Sequence, residues 1–417
     1  MTQAVAMNLY DVLSERGLVA QSTDAEIRKR LEQPVTAYIG FDPTADSLHV
    51  GSLVPIMVLA WLSRCGHKPL VLVGGATGLV GDPSGKTESR KMLTREQINA
   101  NAEAIAAQIG RVVPFGDGPD EATLVNNADW LEPLTWIELL RDVGSRVSVN
   151  RMLSMESVKG RIDSESGISY LEFSYMIMQA YDFAHLNRTH GCTVQMGGQD
   201  QWGNIVMGVE LGRKLHDAEL AGLTMPLITK PDGGKFGKSE KGNVWLDAER
   251  TSPYEFYQFW RNTPDAGVGP YLRYFTFLPM ERVRELETAE GRELNAAKEV
   301  LAYEVTKLIH GEAAAEQAQA DSRKAFGASQ DVTGDSIPHE TIETGDLGLV
   351  RDLLVRSGMA KSNGEAKKLI QGGGVRVGES KVADINHTVG VDDAPNGYLL
   401  LRVGKKRLYR FDLSGSA

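Results

Sequence analysis

Two apolar runs set the frame of this chain. VTAYIGF (35–41) and PLVLVGG (69–75) each read as a strand, and an apolar helix at 53–65 lies between them. A tight turn can join antiparallel strands only, so a strand–helix–strand order calls for a crossover and parallel pairing. The expectation is an α/β fold built on a parallel sheet.

The rest of the first half continues the pattern. LTREQI (93–98) offers a capping box, Thr94 with Gln97, which opens a helix towards Gly110. Further helices are expected at 134–143 and 170–187. CTVQMGG (192–198) is a short strand entering a loop, followed by a helix from Trp202 to Leu215 and a strand TMPLIT at 224–229. The loop KPDGGKFGKSEKGN, dense in lysine and glycine, comes next. TSPYEF then opens a helical regime, with Ser252 as cap, Pro253 in the first turn and Glu255 closing the box. It runs to about Phe326, and residues 327–345, with Pro338, read as a linker. The last segment predicts two short helices, the second capped by Ser362 with Glu365, and strands at 375–377, 398–403 and 407–411.

A length of 417 residues suits two to four domains, and 42% hydrophobic with 24% charged residues is ordinary for a water-soluble protein. The two cysteines, Cys65 and Cys192, have no partner at metal-ligand spacing, which favours reduced thiols and no protein-bound metal. The N-terminus lacks a basic-then-apolar signal, and no apolar run reaches the ~18 residues of a membrane span, so the expected location is cytoplasmic, with no membrane partner. A net charge of −10 excludes a whole-surface nucleic-acid binder. Residues 346–411, however, hold 12 Lys/Arg against 7 Asp/Glu. A basic module on an acidic body suggests local contact with a polyanion.

Several stretches carry chemistry. VGDPSGKT (80–87) and DGGKFGKS (232–239) each miss the P-loop pattern at its first glycine, which leaves two lysine-bearing loops able to hold phosphate. FDPTADSLHVGS (41–52) places His49 and Gly51 before a helix, where free N–H groups favour an anion. Tyr175, Gln179 and Asp182 share one helical face, and a phenol, an amide and a carboxylate amid apolar neighbours suit a pocket wall. In GGQDQWGN (197–204) the glycines permit close backbone approach, and Asp200 is placed to hold a ribose hydroxyl.

In this order, HVGS, GDPSGK, FSYMIMQAYDF, GGQDQWGN and KFGKS resemble the bacterial tyrosyl-tRNA synthetase family, from about Asn8 to the C-terminus. The resemblance places the class I "HIGH" signature in residues 43–52 and "KMSKS" in residues 235–239. It implies a Rossmann-like catalytic domain at 1–245, with a dimer-forming insertion at about 115–195. It also implies an α-helical anticodon-binding domain at 246–328, a linker at 329–345 and a small α+β S4-type RNA-binding domain at 346–417. Tyr38 and Asp182 would bind the substrate phenol, and Asp82, Tyr175 and Gln179 its ammonium group, with Gln201 beside them. Gly40, Asp42, Gly198 and Asp200 would hold the adenylate backbone and sugar, and Gly51, Ser52, Leu227, Ile228 and Ser239 would complete the ATP site. His49 and Thr44 would meet the phosphates, while Lys86, Arg90, Lys235 and Lys238 stabilise departing pyrophosphate. ATP would arrive with Mg2+, and L-tyrosine, tRNA(Tyr) and a second copy of the chain would be the partners. Lys367 and Lys368 would face RNA.

Ser52 departs from the signature, which usually ends in a second histidine; a hydroxyl donates one hydrogen bond and never carries charge. Two other readings compete. A tryptophanyl-tRNA synthetase needs no carboxylate for a phenol and usually lacks the C-terminal module, against Asp182 and residues 346–411. A synthetase-like protein that only binds RNA would not need Lys86, Lys235 and Lys238.

Overall fold

The computed structural model describes residues 7–84, 93–163, 167–229, 236–239, 242–326, 337–378, 380–404 and 407–414, without the side chains of 157, 238, 239, 325 and 326. The chain divides into two units, Met1–Leu246 with Pro264–Thr288, and Asp247–Thr263 with Ala289–Ala417.

The first unit is built on one sheet. β1 (Gln21–Ser22), β2 (Thr36–Phe41), β3 (Lys68–Val73), β4 (Thr123–Asn126), β5 (Cys192–Gly198) and β6 (Ala221–Met225) lie in the order β1-β6-β5-β2-β3-β4. β1 runs antiparallel to β6, and the other pairings are parallel. All five residues of β6 and five of six in β3 are buried, as expected of strands covered on both faces. The expected strand at 224–229 therefore ends earlier than its sequence suggests: Pro226 has no N–H for the ladder, and pairing with β5 stops at Met225.

Four helices matter for the site: α1 (Leu53–Arg64), α2 (Arg95–Gly110), α3 (Tyr170–His190) and α4 (Trp202–His216). α1 buries nine of its twelve residues. It lacks the polar face of a surface helix because it belongs to the core. α2 carries the Thr94–Gln97 capping box in both directions. α3 opens with a second reciprocal box, Ser169 with Glu172, and stops at Gly191, whose φ of 62° is the left-handed conformation a C-terminal glycine supplies. The unit also takes in α5 (Val268–Phe275), which falls inside the expected helical regime. Arg16 accounts for this: its buried guanidinium donates to the carbonyls of Arg273, Thr276 and Leu278.

The strand order sets the position of a crevice. From β2 the sheet grows one way through β3 and β4, and the other way through β5 and β6. Ligands in open parallel sheets bind beyond the carboxyl ends of strands at such a reversal. Here those ends lead into Asp42, Gly74, Asn127 and Asp200.

In the second unit, Pro253–Arg261 packs with Gly291–His310 and Glu312–Phe326, and Gln258 donates to the Ser322 hydroxyl at 2.8 Å. Ser252 caps the first of these helices through the Glu255 N–H, with Pro253 at the first position. β9 (His339–Glu343), β10 (Val375–Val377), β11 (Ser380–Val382), β12 (Tyr398–Val403) and β13 (Arg407–Ser414) form a sheet in the order β11-β10-β12-β13-β9. Helices Val350–Arg356 and Asn363–Gln371 complete its core, which includes Val350, Leu354, Ile370, Leu399 and Phe411. β9 lies within the stretch that reads as a linker. Only Ile342 of its five residues is buried, so it leaves no alternating apolar pattern. No helix among the described residues is long and apolar enough to cross a membrane.

Candidate active site

A continuous hydrogen-bond chain runs along the carboxyl ends of β2, β3 and β4. Tyr175, on α3, donates its hydroxyl to Asp42 Oδ2 at 2.9 Å. The Thr77 hydroxyl donates to Asp42 Oδ1 at 2.8 Å and accepts from Asn127 Nδ2 at 2.9 Å. Asn127 Nδ2 also donates to Asp182 Oδ2 at 3.0 Å, and Trp130 Nε1 donates to Asp182 Oδ1 at 2.8 Å. Gly74 makes room for this chain: a Cβ there would lie 2.2 Å from Asp42 Oδ1 and 2.3 Å from the Thr77 hydroxyl.

Asp182 is 2% exposed, and burial raises its carboxyl to about 7 against the lowering effect of Asn127 and Trp130. Tyr38, also 2% exposed, lies against Phe183 with ring centroids 5.5 Å apart. Its hydroxyl has no hydrogen-bond partner among the described residues. Burial, followed by the charge of Asp182, pushes the Tyr38 phenol well above its ordinary range, so it is a neutral donor and acceptor. A buried hydroxyl lacking a partner is costly, and a polar ligand relieves that cost.

A second polar cluster joins α3 and α4. Gln201 Nε2 donates to Asp82 Oδ2 at 2.7 Å, and Asp82 Oδ1 accepts from the Ser84 N–H. Asn204 Nδ2 donates to Gln179 Oε1 at 2.9 Å and to Gln201 Oε1 at 3.0 Å. Burial raises the Asp200 carboxyl, with the Asp82 charge adding to it. A Cβ on Gly198 would lie 2.5 Å from Asp200 Oδ1, so the backbone is bare where that carboxylate stands.

The HVGS segment is held from outside. Gln108, on α2, accepts from the Leu48 N–H at 2.9 Å, and Asn101 donates to the Pro43 carbonyl at 3.0 Å. His49 Nδ1 accepts from the Gly51 N–H at 3.0 Å, which assigns the proton to Nε2 and leaves that nitrogen a donor. Gly51 is required here, because a Cβ would sit 2.7 Å from His49 Cε1. The Thr44 side chain is exposed and Gly40 leaves its backbone open, while Ser52 makes no capping bond through its hydroxyl. Leu227 is exposed and Ile228 half-buried.

The structure thus brings Tyr38, Asp42, Asp82, Tyr175, Gln179, Asp182 and Gln201 into two polar clusters. Burial, then Asp42, raises the Tyr175 phenol of the first, and Asp82 of the second is close enough to add to it. Lys86, Arg90 and Lys235 lie outside the described residues. Lys238 and Ser239 are described in their main chain only, as strand β7 (Lys238–Ser239) paired with β8 (Gly242–Asn243). Thr77, Asn127, Trp130 and Asn204 were not singled out in the sequence. NNADW directly after a strand, and Asn204 three residues beyond Gln201 at a helix start, are the signals that point to them.

The sheet, the reversal at β2 and the polar clusters beyond it define a Rossmann-like α/β protein with its candidate site at the switch point of the sheet. Residues 29–327 match the family of tRNA synthetases class I (W and Y), and residues 330–411 match the tyrosine–tRNA ligase SYY-like C-terminal domain. A tyrosine–tRNA ligase of Rhizobium meliloti is 49% identical over 401 residues, covering 95% of this chain and 96% of its own. One of Clostridium botulinum is 48% identical over 406 residues, 97% of this chain and 98% of its own. The crystal structure of a C-terminally truncated mitochondrial tyrosyl-tRNA synthetase from Aspergillus nidulans superposes with a TM-score of 0.68 at 34% identity, over 76% of this chain and 94% of that one. The chain belongs to the class I tRNA synthetases, and within them to the bacterial tyrosyl-tRNA synthetase family. Its reaction is tyrosine–tRNA ligation, with ATP as a substrate.

Proposed function

We propose that the two polar clusters divide the recognition of tyrosine between its ends. The phenol enters between Tyr38 and Asp182, and the ammonium group meets Asp82, Tyr175 and Gln179, with Gln201 alongside. The observation that carries this reading is the buried Tyr38 hydroxyl, without a partner, near a carboxylate already fixed by Asn127 and Trp130. A phenol supplies the partner that the Tyr38 hydroxyl lacks and adds a donor to Asp182. Phenylalanine leaves the Tyr38 hydroxyl unpaired, at a cost of about 1–3 kcal/mol.

The nucleotide lies over the carboxyl ends of β2 and β5, against Gly40, Asp42, Gly51, Ser52, Gly198, Asp200, Leu227, Ile228 and Ser239. Magnesium comes with ATP. The tyrosine carboxylate attacks the α-phosphorus, the bond to the bridging oxygen breaks, and pyrophosphate leaves. His49 Nε2 and Thr44 donate towards the phosphates, while Lys86, Arg90, Lys235 and Lys238 take up charge on the departing group. No covalent enzyme intermediate is needed, because positioning and preplaced charge lower the barrier. A ribose hydroxyl of the 3'-terminal adenosine of tRNA(Tyr) then attacks the tyrosyl carbonyl, the mixed-anhydride bond breaks, and AMP leaves.

The remaining assignments follow the same reading. Residues 246–328 meet the anticodon end, and residues 346–417 form an S4-like RNA-binding domain in which Lys367 and Lys368 face RNA backbone. Residues 115–195 carry the homodimer contact, and the enzyme works in the cytoplasm. ATP–pyrophosphate exchange across a panel of amino acids tests the proposal. Exchange driven by tyrosine and by no other amino acid is expected, and equal exchange with phenylalanine would overturn the assignment of Tyr38 and Asp182.

A further inference from the structure

The aromatic residue inside the lysine loop is the part of the signature the mechanism has not used. Phe236 lies directly after Lys235 and two residues before Lys238, yet its ring faces inward and is 8% exposed. It stacks on Phe275 with ring centroids 5.7 Å apart and planes 7° from parallel, and it tilts against Tyr271 at 5.0 Å. Tyr271 and Phe275 stand one turn apart on α5, so a single helical face makes the seat.

That seat is itself fixed. The end of α5 is held by Arg16, which donates to the carbonyls of Arg273 at 2.9 Å, Thr276 at 2.8 Å and Leu278 at 2.7 Å. The same guanidinium lies 4.4 Å from the Trp61 ring centre on α1, the helix that follows HVGS. Next to Phe236, Gly237 has φ of 82° and presses on HVGS, since a Cβ there would lie 2.8 Å from Val50 Cγ2 and 3.4 Å from the Gly51 nitrogen. The Gly237 carbonyl accepts from the Val244 N–H, and the Val244 carbonyl accepts from the Val50 N–H. Loop, seat and HVGS therefore share one set of fixed contacts.

We propose that Phe236 is a positioning residue. Seated on Tyr271 and Phe275, it fixes the main chain between the two signature lysines against HVGS, and so sets the place from which Lys235 and Lys238 reach the phosphates. This rests on the reading that those lysines stabilise pyrophosphate. A lysine is a point charge on a flexible four-carbon stem, so its aim depends on where its main chain is held. Misplacing that origin costs rate in the step where charge develops and leaves tyrosine binding alone.

Single-turnover formation of tyrosyl-adenylate, measured beside equilibrium tyrosine binding, tests this in the full chain with Phe236→Ala, Lys238→Ala and the double variant. Each single change is expected to slow activation by more than about tenfold with tyrosine affinity held within about twofold. Because Phe236 acts through the lysines, the double variant should fall well short of the product of the two single effects. Phe236→Leu, which fills the seat without stacking, should be intermediate. A normal rate for Phe236→Ala beside a slow Lys238→Ala would overturn the proposal, and so would fully multiplicative effects. A normal rate for Lys238→Ala would instead overturn the pyrophosphate reading beneath it. If Phe236→Ala fails to bind tyrosine, Phe236→Leu decides: slowed activation with normal binding supports positioning, and lost binding refutes it.

Discussion

Burial and hydrogen bonding compete over Asp182, and burial wins, lifting the carboxyl to about 7 despite donors from Asn127 and Trp130. The raised value means that below neutrality the free protein favours the protonated form. Its contribution to stability is complete below the ordinary value of 3.8 and is lost as pH rises towards 7. A bound phenol reverses the preference, because its hydroxyl donates best to a charged carboxylate. Tyrosine binding should therefore release a proton near neutrality. The dissociation constant for tyrosine is predicted to fall severalfold between about pH 6 and about pH 8, and to lose that dependence in Asp182→Asn. Calorimetric titration across that range checks it; an equally steep dependence in Asp182→Asn would place the titrating group elsewhere. The departure at Ser52 can be probed in the same way. Its hydroxyl caps nothing in α1, so Ser52→Ala should leave the fold intact and change only ATP-dependent rates.

Between β4 and the middle of α3, several short elements leave apolar side chains uncovered. Trp136, Ile137, Val149 and Tyr170 are each more than half exposed, and Trp136 contacts Tyr170 edge to face at 6.2 Å. These side chains are the surface on which we place the proposed homodimer contact, because it would take them out of water. Ile137→Glu with Val149→Glu should weaken self-association by about a hundredfold or more, since charges at an interface core lose solvation without gaining a partner. Sedimentation over a concentration series reads the outcome, and an unchanged dimer would exclude this face. At this scale, sequence and structure agree where a local rule governs. The box at Thr94 and the cap at Ser252 appear as expected, because caps depend on neighbours three residues apart. Tyr175, Gln179 and Asp182 were legible because helical spacing puts polar groups on one apolar face. Asn127 and Trp130 were not, because they reach Asp182 only through the placement of β4 beside β3. β9 was missed because a strand with one buried residue has no pattern to read. That α5 falls in the first unit was not legible, because nothing in its own sequence announces Arg16, more than 250 residues away.

At the scale of the molecule, the residues proposed for activation and those proposed for tRNA contact lie in different parts of the chain. The residues assigned to activation all precede Glu240, whereas the basic excess lies in 346–411. A relative with its C-terminal part removed gave a crystal structure that aligns with 76% of this chain. Truncation after Ser329 should leave pyrophosphate exchange within about twofold but raise the KM for tRNA by about tenfold or more, because phosphate contacts carry much of RNA affinity. It also uncovers Tyr254, which packs with Ile337, Leu400 and Leu408, so some loss of thermal stability is expected. In the full chain, Lys367→Ala with Lys368→Ala should weaken tRNA binding and flatten its salt dependence. Charging by the truncated chain as efficient as by the whole would remove the RNA-binding role from this segment. The measurement closest to the central claim is the ratio of specificity constants for tyrosine and phenylalanine in pyrophosphate exchange, for the full chain and for Asp182→Ala. The account predicts that the substitution lowers this ratio by about tenfold or more, through the loss of tyrosine rather than the gain of phenylalanine; an unchanged ratio would contradict it.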